Sequence, residues 1–94
     1  MERKVILVLP VSDEGLLQNF VKECLSVNVD LIAIFGPEAS RFDDEIDWLM
    51  IDLEVDPSRS PVTTAHSDET WDEVLEFVAS WTTEPSSGVS LIYL

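Results

Sequence analysis

The hydrophobic positions of the chain follow two alternating patterns. Residues 4–10 form a continuous aliphatic run, and residues 30–35 repeat that run. A short segment that is apolar on both faces is typical of a strand inside a parallel sheet that helices cover on both sides. Between the two runs, apolar residues recur at helical spacing: Leu16, Leu17, Phe20, Val21, Cys24 and Leu25. Strand, helix and strand in about thirty residues predict a right-handed βαβ unit.

The second half of the chain continues the alternation. Residues 38–49 place Ala39, Phe42, Ile46 and Leu49 on one helical face. Residues 49–55 fit either an extension of this helix or a short half-exposed strand, because their apolar residues also alternate with polar ones. We favour a helix that ends near Leu49, followed by a short extended segment. Residues 56–61 contain two prolines and predict a loop.

The last third predicts a strand, a helix and a strand. Residues 62–65 are a short β-prone run. Thr70–Glu73 has the pattern of a capping box at a helix start, with Ser67 and Asp68 as competing caps. Ser12 or Asp13 is expected to cap the first helix of the chain in a similar way. Residues 82–88 predict a loop, and residues 89–94 predict a final strand.

The order of these elements predicts one α/β domain over residues 1–94. We expect a three-layer sandwich with a mostly parallel sheet of four or five strands. The first strand is among the most apolar and is expected to be central. The default arrangement is then flavodoxin-like or Rossmann-like, with the strand order 2-1-3-4.

Charge is the one extreme property of the composition. Nineteen acidic residues face five basic ones, for a net charge of −14. Such a chain is repelled by nucleic acid and by anionic membranes, and no apolar run approaches the ~20 residues of a membrane span. A single cysteine, Cys24, excludes an intrachain disulfide and suits a reducing cytoplasm. The acidity favours solubility or a basic protein partner.

Ligands of open parallel sheets bind beyond the carboxyl ends of the strands. The candidate ligand-binding residues there are Ser12, Asp13, Gly36, Thr63, Thr64, His66 and Ser67. His66 is the only imidazole and would be the natural acid or base, although a histidine at a strand end more often bonds to its own fold. We therefore assign no catalytic residue. No glycine-rich phosphate loop is present, and we expect no cofactor.

An acidic cluster extends from Glu38 to Asp56 and holds eight of the nineteen carboxylates, with Arg41 as its only cation. A solvated helix face is the commonest explanation of such a run. A metal site is a second explanation, but the spacing lacks the pattern of a calcium-binding loop and we assign none. The third is a surface for a basic partner. The candidate partner-binding residues are Glu38, Asp43, Asp44, Asp47, Asp52 and Glu54.

Two segments carry a resemblance to a known family. They are Ile34-Phe35-Gly36-Pro37-Glu38, which leads into the acidic helix, and Thr63 to Glu69, which precedes the last helix. With these segments, the chain resembles a small bacterial α/β domain family of unknown function. The resemblance implies no activity, but it draws attention to Gly36, Thr64 and His66.

Three functional hypotheses follow. The preferred one is a non-catalytic, cytoplasmic binding module that engages a basic protein as an inhibitor, immunity-type protein or regulatory adaptor. Trp48, Trp71 and Trp81 are expected to be core or interface anchors, and a surface tryptophan would favour this hypothesis. The alternative is a small-molecule site or minor enzyme around His66, Thr64 and Ser12. A third is an accessory domain that works only as an oligomer, whose state the sequence does not reveal.

Overall fold

A computed structural model of the chain describes residues 1–81 and 88–94. The strands are β1 (Lys4–Val8), β2 (Leu31–Phe35), β3 (Val62–His66) and β4 (Val89–Tyr93). The helices are α1 (Gly15–Ser26), α2 (Ala39–Asp52) and α3 (Trp71–Ser80), with a short 3-10 turn at Pro57–Arg59. The loop expected at residues 82–88 lies, except for Gly88, outside the described residues. Every other expected element except the extended segment after Leu49 is present.

The four described strands form one parallel sheet with the order β3-β2-β1-β4. The α/β class and the central position of β1 are as expected. The strand order differs from the expected 2-1-3-4, because β3 pairs with β2 rather than with β1. The side chains of β1 and β2 are nearly all buried, whereas those of β3 and β4 are mostly only partly covered. The two most apolar strands therefore take the two interior places, and the strands with more polar residues take the edges.

Helices cover both faces of the sheet and make three layers. On one face, Val5 and Leu7 of β1 share a core with α1 and α2. On the other face, Ile6 of β1 packs with Val74 and Val78 of α3. Successive residues of a strand point to opposite faces, so one unbroken apolar strand contributes to both cores.

The structure corrects three details of the helices. α2 does not end near Leu49 but continues to Asp52, because Met50 follows Phe42 and Ile46 at helical spacing and is buried with them. In α1, Leu16 is 41% exposed, so its buried stripe is narrower than expected. The N-cap of α1 is Glu14, without a side-chain bond, although Asp13 Oδ1 accepts a hydrogen bond from Gly15 N at 2.8 Å.

The expected capping box of α3 is confirmed. Glu73 N donates to Thr70 Oγ1 at 3.2 Å, and Thr70 N donates to Glu73 Oε1 at 3.0 Å. The bond from the Thr70 backbone lowers the pKa of Glu73 below its usual value of 4.5. The ionised carboxylate therefore contributes to the stability of the fold, and this contribution depends on pH.

Replacing Thr70 by alanine should lower the free energy of unfolding by about 1 kcal/mol, because one backbone N–H of the helix start loses its acceptor.

Glu73→Gln tests the pH dependence of the stabilisation by the Glu73 carboxylate. Because the folded state lowers the pKa of Glu73, its stabilisation is present above pH 4.5 and is lost as the pH falls through the folded pKa. The deficit of E73Q in urea unfolding should thus shrink in acid. A deficit that stays constant from pH 7 to pH 3 would contradict this account.

Candidate functional site

His66, the centre of the predicted ligand site, is enclosed. The residue is 4% exposed, and its ring lies 4.9 Å from the ring of Phe77. Thr64 Oγ1 is 2.8 Å from Nε2, and Glu69 Oε2 is 3.0 Å from Nδ1. The carboxylate is near enough for an ion pair, although its direction does not meet hydrogen-bond geometry. Both ring nitrogens therefore face side chains of the protein itself, and the arrangement joins β3 to the start of α3.

The other predicted ligand residues of β3 are divided between the two faces of the sheet. Thr63 lies on the α2 side, where its hydroxyl donates to Asp47 Oδ1 at 3.1 Å. Thr64 lies on the opposite side with His66. Ser67 follows the strand, and its hydroxyl is 3.4 Å from that of Ser40 in α2. Thr63 and Ser67 thus contact α2, whereas Thr64 bonds within β3.

The remaining three predicted ligand residues follow the ends of β1 and β2 in the chain. Ser12 Oγ donates to the carbonyl oxygen of Leu94, and Asp13 is occupied at the start of α1. Gly36 N donates to the carbonyl oxygen of His66 at 3.3 Å. The sequence predicted that all seven residues lie near the carboxyl ends of the strands. The contacts described above do not direct their polar atoms towards a common point.

The acidic candidates lie on α2 and at its two ends. Glu38 precedes the helix and is 3.4 Å from Arg41, while Asp44, Asp52 and Glu54 are exposed. Asp43 is half-buried, and its Oδ1 has no hydrogen-bond partner among the described residues. Partial burial raises the pKa of Asp47, an effect that the hydrogen bond from Thr63 opposes. The structure thus gathers these carboxylates around one helix.

The outward face of α2 also exposes two large apolar side chains. Trp48 is 65% exposed and Ile51 is 63% exposed. Helical spacing of three and four residues places them beside Asp44 and Asp47. We call these four residues the α2 ridge. A ridge of bulky apolar side chains between carboxylates is uncommon on a helix that has only solvent beyond it, because charged residues normally occupy such a face.

A concave surface lies on each side of the α2 ridge. One is a groove between α1 and α2 with a volume of about 320 Å³, and Trp48 forms one of its walls. We call it the α1–α2 groove. The other has a volume of about 250 Å³, and its apolar lining consists of Met50, Ile51, Val55, Pro57 and Pro61. The α2 ridge therefore lies between two concave surfaces, and both have apolar and acidic residues in their linings.

The role of Trp48 was only partly accessible from the sequence. The helical pattern assigned Leu49 to the buried face, and a tryptophan beside it was equally compatible with a core or an interface position. The informative signal is that Trp48 lies outside the predicted stripe of Ala39, Phe42, Ile46 and Leu49, directly after Asp47 and one turn after Asp44. Only the packing of α2 on the sheet shows which side faces out.

A wider hollow of about 700 Å³ lies at the opposite end of the sheet, near the starts of the strands. Arg3 and Arg59 both line it, but Arg3 pairs with Asp30 at 2.8 Å. This hollow is open and mainly polar, and it shares no residue with the predicted sites. It adds no further candidate chemistry.

Three other features bear on function. Within residues 1–81 and 88–94, no group of three or more histidine, cysteine or acidic residues is arranged to hold a metal ion. No helix in this described part is long and apolar enough to cross a membrane. Burial, and secondarily the charge of Glu23, raises the pKa of the Cys24 thiol to about 12. Cys24 thus stays protonated at neutral pH and acts as a core residue.

Comparison with known proteins identifies a family but no activity. No curated protein and no solved structure matches the chain. Residues 3–93 match a family that is described as a domain of unknown function, DUF7684. This match covers all four strands and all three helices described above. The chain therefore belongs to the DUF7684 family.

Proposed function

We propose that this protein is a non-catalytic binding module that engages a basic protein partner through the α2 ridge. The observation that carries the proposal is the exposure of Trp48 and Ile51, at 65% and 63%, among carboxylates. Tryptophan is among the commonest anchors of protein interfaces, and Ile51 extends the apolar surface beside it. An exposed apolar patch that is rimmed by polar residues often marks a site of protein interaction.

Charge complements the apolar anchors. The chain carries −14, and the carboxylates around α2 concentrate that charge at the ridge. A basic surface is therefore steered towards the ridge, which raises the association rate. The burial of Trp48 and Ile51 would then slow dissociation, because most affinity differences in interfaces reside in the dissociation rate. The two kinds of side chain thus perform separable tasks.

The composition supports a regulatory role for such a module. A small acidic domain can cover the basic surface of another protein and thereby block or adjust its activity, as an inhibitor, an immunity-type protein or an adaptor does. The enclosed His66 supports the non-catalytic assignment, since a base must be within reach of the proton it removes. A single buried cysteine is in keeping with a cytoplasmic setting.

The test starts with capture of partners from the organism that produces the protein, followed by calorimetry with each purified partner. Trp48→Ala should weaken binding about 30-fold or more, because truncation of an interface anchor costs about 2 kcal/mol. Ile51→Ala should weaken binding about tenfold by the same mechanism. The double variant Asp44→Asn, Asp47→Asn should mainly slow association and flatten its dependence on salt.

Tyr93→Ala is the matched control, because Tyr93 is 69% exposed but lies on β4 at the far side of the sheet from α2. It should leave binding unchanged. The proposal fails if no captured protein depends on Trp48 and Ile51, or if Y93A weakens binding as much as W48A does.

A further inference from the structure

The α1–α2 groove has an apolar floor with carboxylates at both ends. Leu17 and Leu49 contribute to the floor, and Trp48 forms a wall. Glu14 and Glu45 lie at one end and Asp52 at the other. Glu45 and Asp52 are seven residues apart on α2, which separates them by about 10 Å along the helix axis. The groove is thus a short trough that is apolar in the middle and negative at each end.

The two ends of the groove differ in how their charge is balanced. At the first end, the Arg41 guanidinium contacts Glu14 and lies 3.4 Å from Glu45. These carboxylates, with Glu14 foremost, raise the pKa of Arg41. At the second end, Asp52 forms no ion pair with any residue in the described part of the chain. One end therefore already holds a guanidinium, and the other end is uncompensated.

The backbone of α2 adds to the negative potential at this second end. Asp52 is the last residue of the helix, and the last turn contains no basic residue. The carboxyl end of a helix carries a partial negative charge, which favours cations and disfavours carboxylates. An aspartate there opposes the helix dipole in the free protein. A cation supplied by another molecule would balance both the charge of the Asp52 carboxylate and the partial negative charge of the helix end.

We infer that the α1–α2 groove is a subsite for one arginine side chain of the basic partner, an inference that rests on the proposed function. The three methylene groups of arginine lie along the Leu17 and Leu49 floor, as long cationic side chains do on apolar surfaces. The guanidinium then stacks on the Trp48 indole and reaches Asp52. The volume of about 320 Å³ is at the small end of the range for ligand pockets, about 300–1,000 Å³, which suits one side chain rather than a cofactor.

Arginine fits this groove better than lysine does. Its planar guanidinium stacks on an aromatic face, is less strongly hydrated than an ammonium, and can bond a carboxylate through two parallel N–H groups. A neutral apolar side chain would cover the floor but leave Asp52 facing a desolvated surface without a counter-charge. Arg41, bound to Glu14 at the other end, is an example of the same pairing within this chain.

The test is an NMR titration of the full, ¹⁵N-labelled chain with N-acetyl-arginine amide as the probe. Shift changes should concentrate on the Trp48 indole N–H and on the amides of Gly15, Gln18 and Leu49, which border the groove. The neutral isostere N-acetyl-citrulline amide should bind at least fivefold more weakly, and N-acetyl-lysine amide about threefold more weakly. Equal binding of all three probes, or shifts spread evenly over every acidic segment, would overturn the inference.

Two variants and two matched controls localise the site. Trp48→Leu keeps an apolar wall but removes the aromatic face, and Asp52→Asn keeps the shape but removes the charge; each should weaken the arginine probe at least fivefold. Tyr93→Leu and Glu76→Gln, both exposed on other elements, should leave the affinity unchanged. The inference is wrong if W48L or D52N binds the arginine probe as the parent chain does. All four sites are exposed, so the fold should tolerate each change.

The outcome separates this inference from the proposed function. A partner whose binding depends on Ile51 and Asp44 but is unaffected by D52N would overturn the arginine subsite and leave the proposed function standing. Selective binding of the arginine probe, without any protein partner that depends on Trp48, would support the groove assignment and count against the proposed function.

Discussion

Gly36→Ala is expected to lower the free energy of unfolding by about 3 kcal/mol, the sum of a strained backbone and a steric overlap. Gly36 has φ of 139°, a conformation that residues with a side chain rarely adopt. A Cβ built there would lie 2.8 Å from the Cβ of Leu9, closer than any ordinary contact. Neither problem is relieved by moving a flexible side-chain end.

The surroundings of Gly36 leave little room to relax. Leu9 N donates to the carbonyl of Phe35 at 3.0 Å, and Gly36 N donates to the carbonyl of His66 at 3.3 Å. The turn that follows β2 is thus tied to the ends of β1 and β3 at once. A shift that accommodates the alanine must loosen the edge of the sheet where the three strands end, and α2 begins three residues later.

Urea unfolding of G36A measures this cost, and the corresponding fall in melting temperature should be about 12–24 °C for a domain of this size. Gly88→Ala is the matched control. Gly88 is exposed, and among the described residues the nearest atoms to a Cβ there belong to the flexible side chain of Glu2, at 3.3 Å. G88A should stay within about 0.5 kcal/mol of the parent chain. A cost of less than about 1 kcal/mol for G36A would show that the turn adapts more freely than its contacts imply.

Lys4→Met is expected to destabilise the protein by about 2 kcal/mol, since hydrogen bonds to charged groups are worth about 1.5–3 kcal/mol each and part of this is offset by removing a buried ammonium. Lys4 is 4% exposed, and its Nζ donates to the carbonyl oxygens of Ala79 and Trp81 at 3.4 and 3.3 Å. These carbonyls lie at the carboxyl end of α3, where the helix dipole favours a cation. Methionine keeps the length of the side chain but cannot donate.

The control for Lys4 is Lys22→Met, which removes the same charge from an exposed position on α1. Both variants change the net charge from −14 to −15, so the difference between them isolates the contacts with α3. Hydrogen exchange supplies a local readout, because K4M should accelerate the last-turn amides of α3 while K22M should not. If K4M proves as stable as K22M, the cost of burying the ammonium equals the gain from its two bonds.

The central place of β1, the apolar character of β2 and the start of α3 were predictable from the sequence. The runs at β1 and β2 contain almost only aliphatic residues, and such a run has few alternatives to a buried parallel strand. The Thr70–Glu73 capping box is a local pattern whose donors and acceptors lie within four residues, so no distant contact is needed to form it. The concentration of carboxylates on α2 was also visible in the sequence, because these residues lie close together along the chain.

The rotation of α2 about its own axis, which decides which of its residues face the core, was harder to predict. Leu49, Met50 and Ile51 are three consecutive apolar residues, and any of them could continue the stripe of Phe42 and Ile46. In the structure Met50 is buried and Ile51 is exposed, with Leu49 between them in degree of exposure. The choice depends on how the helix lies across the sheet. Its outcome makes Trp48 part of an exposed ridge rather than of the core.

The sequence by itself determined the α/β class, the central place of β1, the capping box of α3 and the acidic character of α2, because periodicity, local hydrogen bonds and charge act over a few residues. The tertiary structure alone decided that β3 pairs with β2, that Thr63 and His66 serve opposite faces of the sheet, and that Trp48 borders the α1–α2 groove. These outcomes depend on which distant segments meet, and many pairings bury similar apolar areas. The surface that we propose as an interface was therefore not predictable from local sequence, because it forms only when α1 and α2 pack side by side.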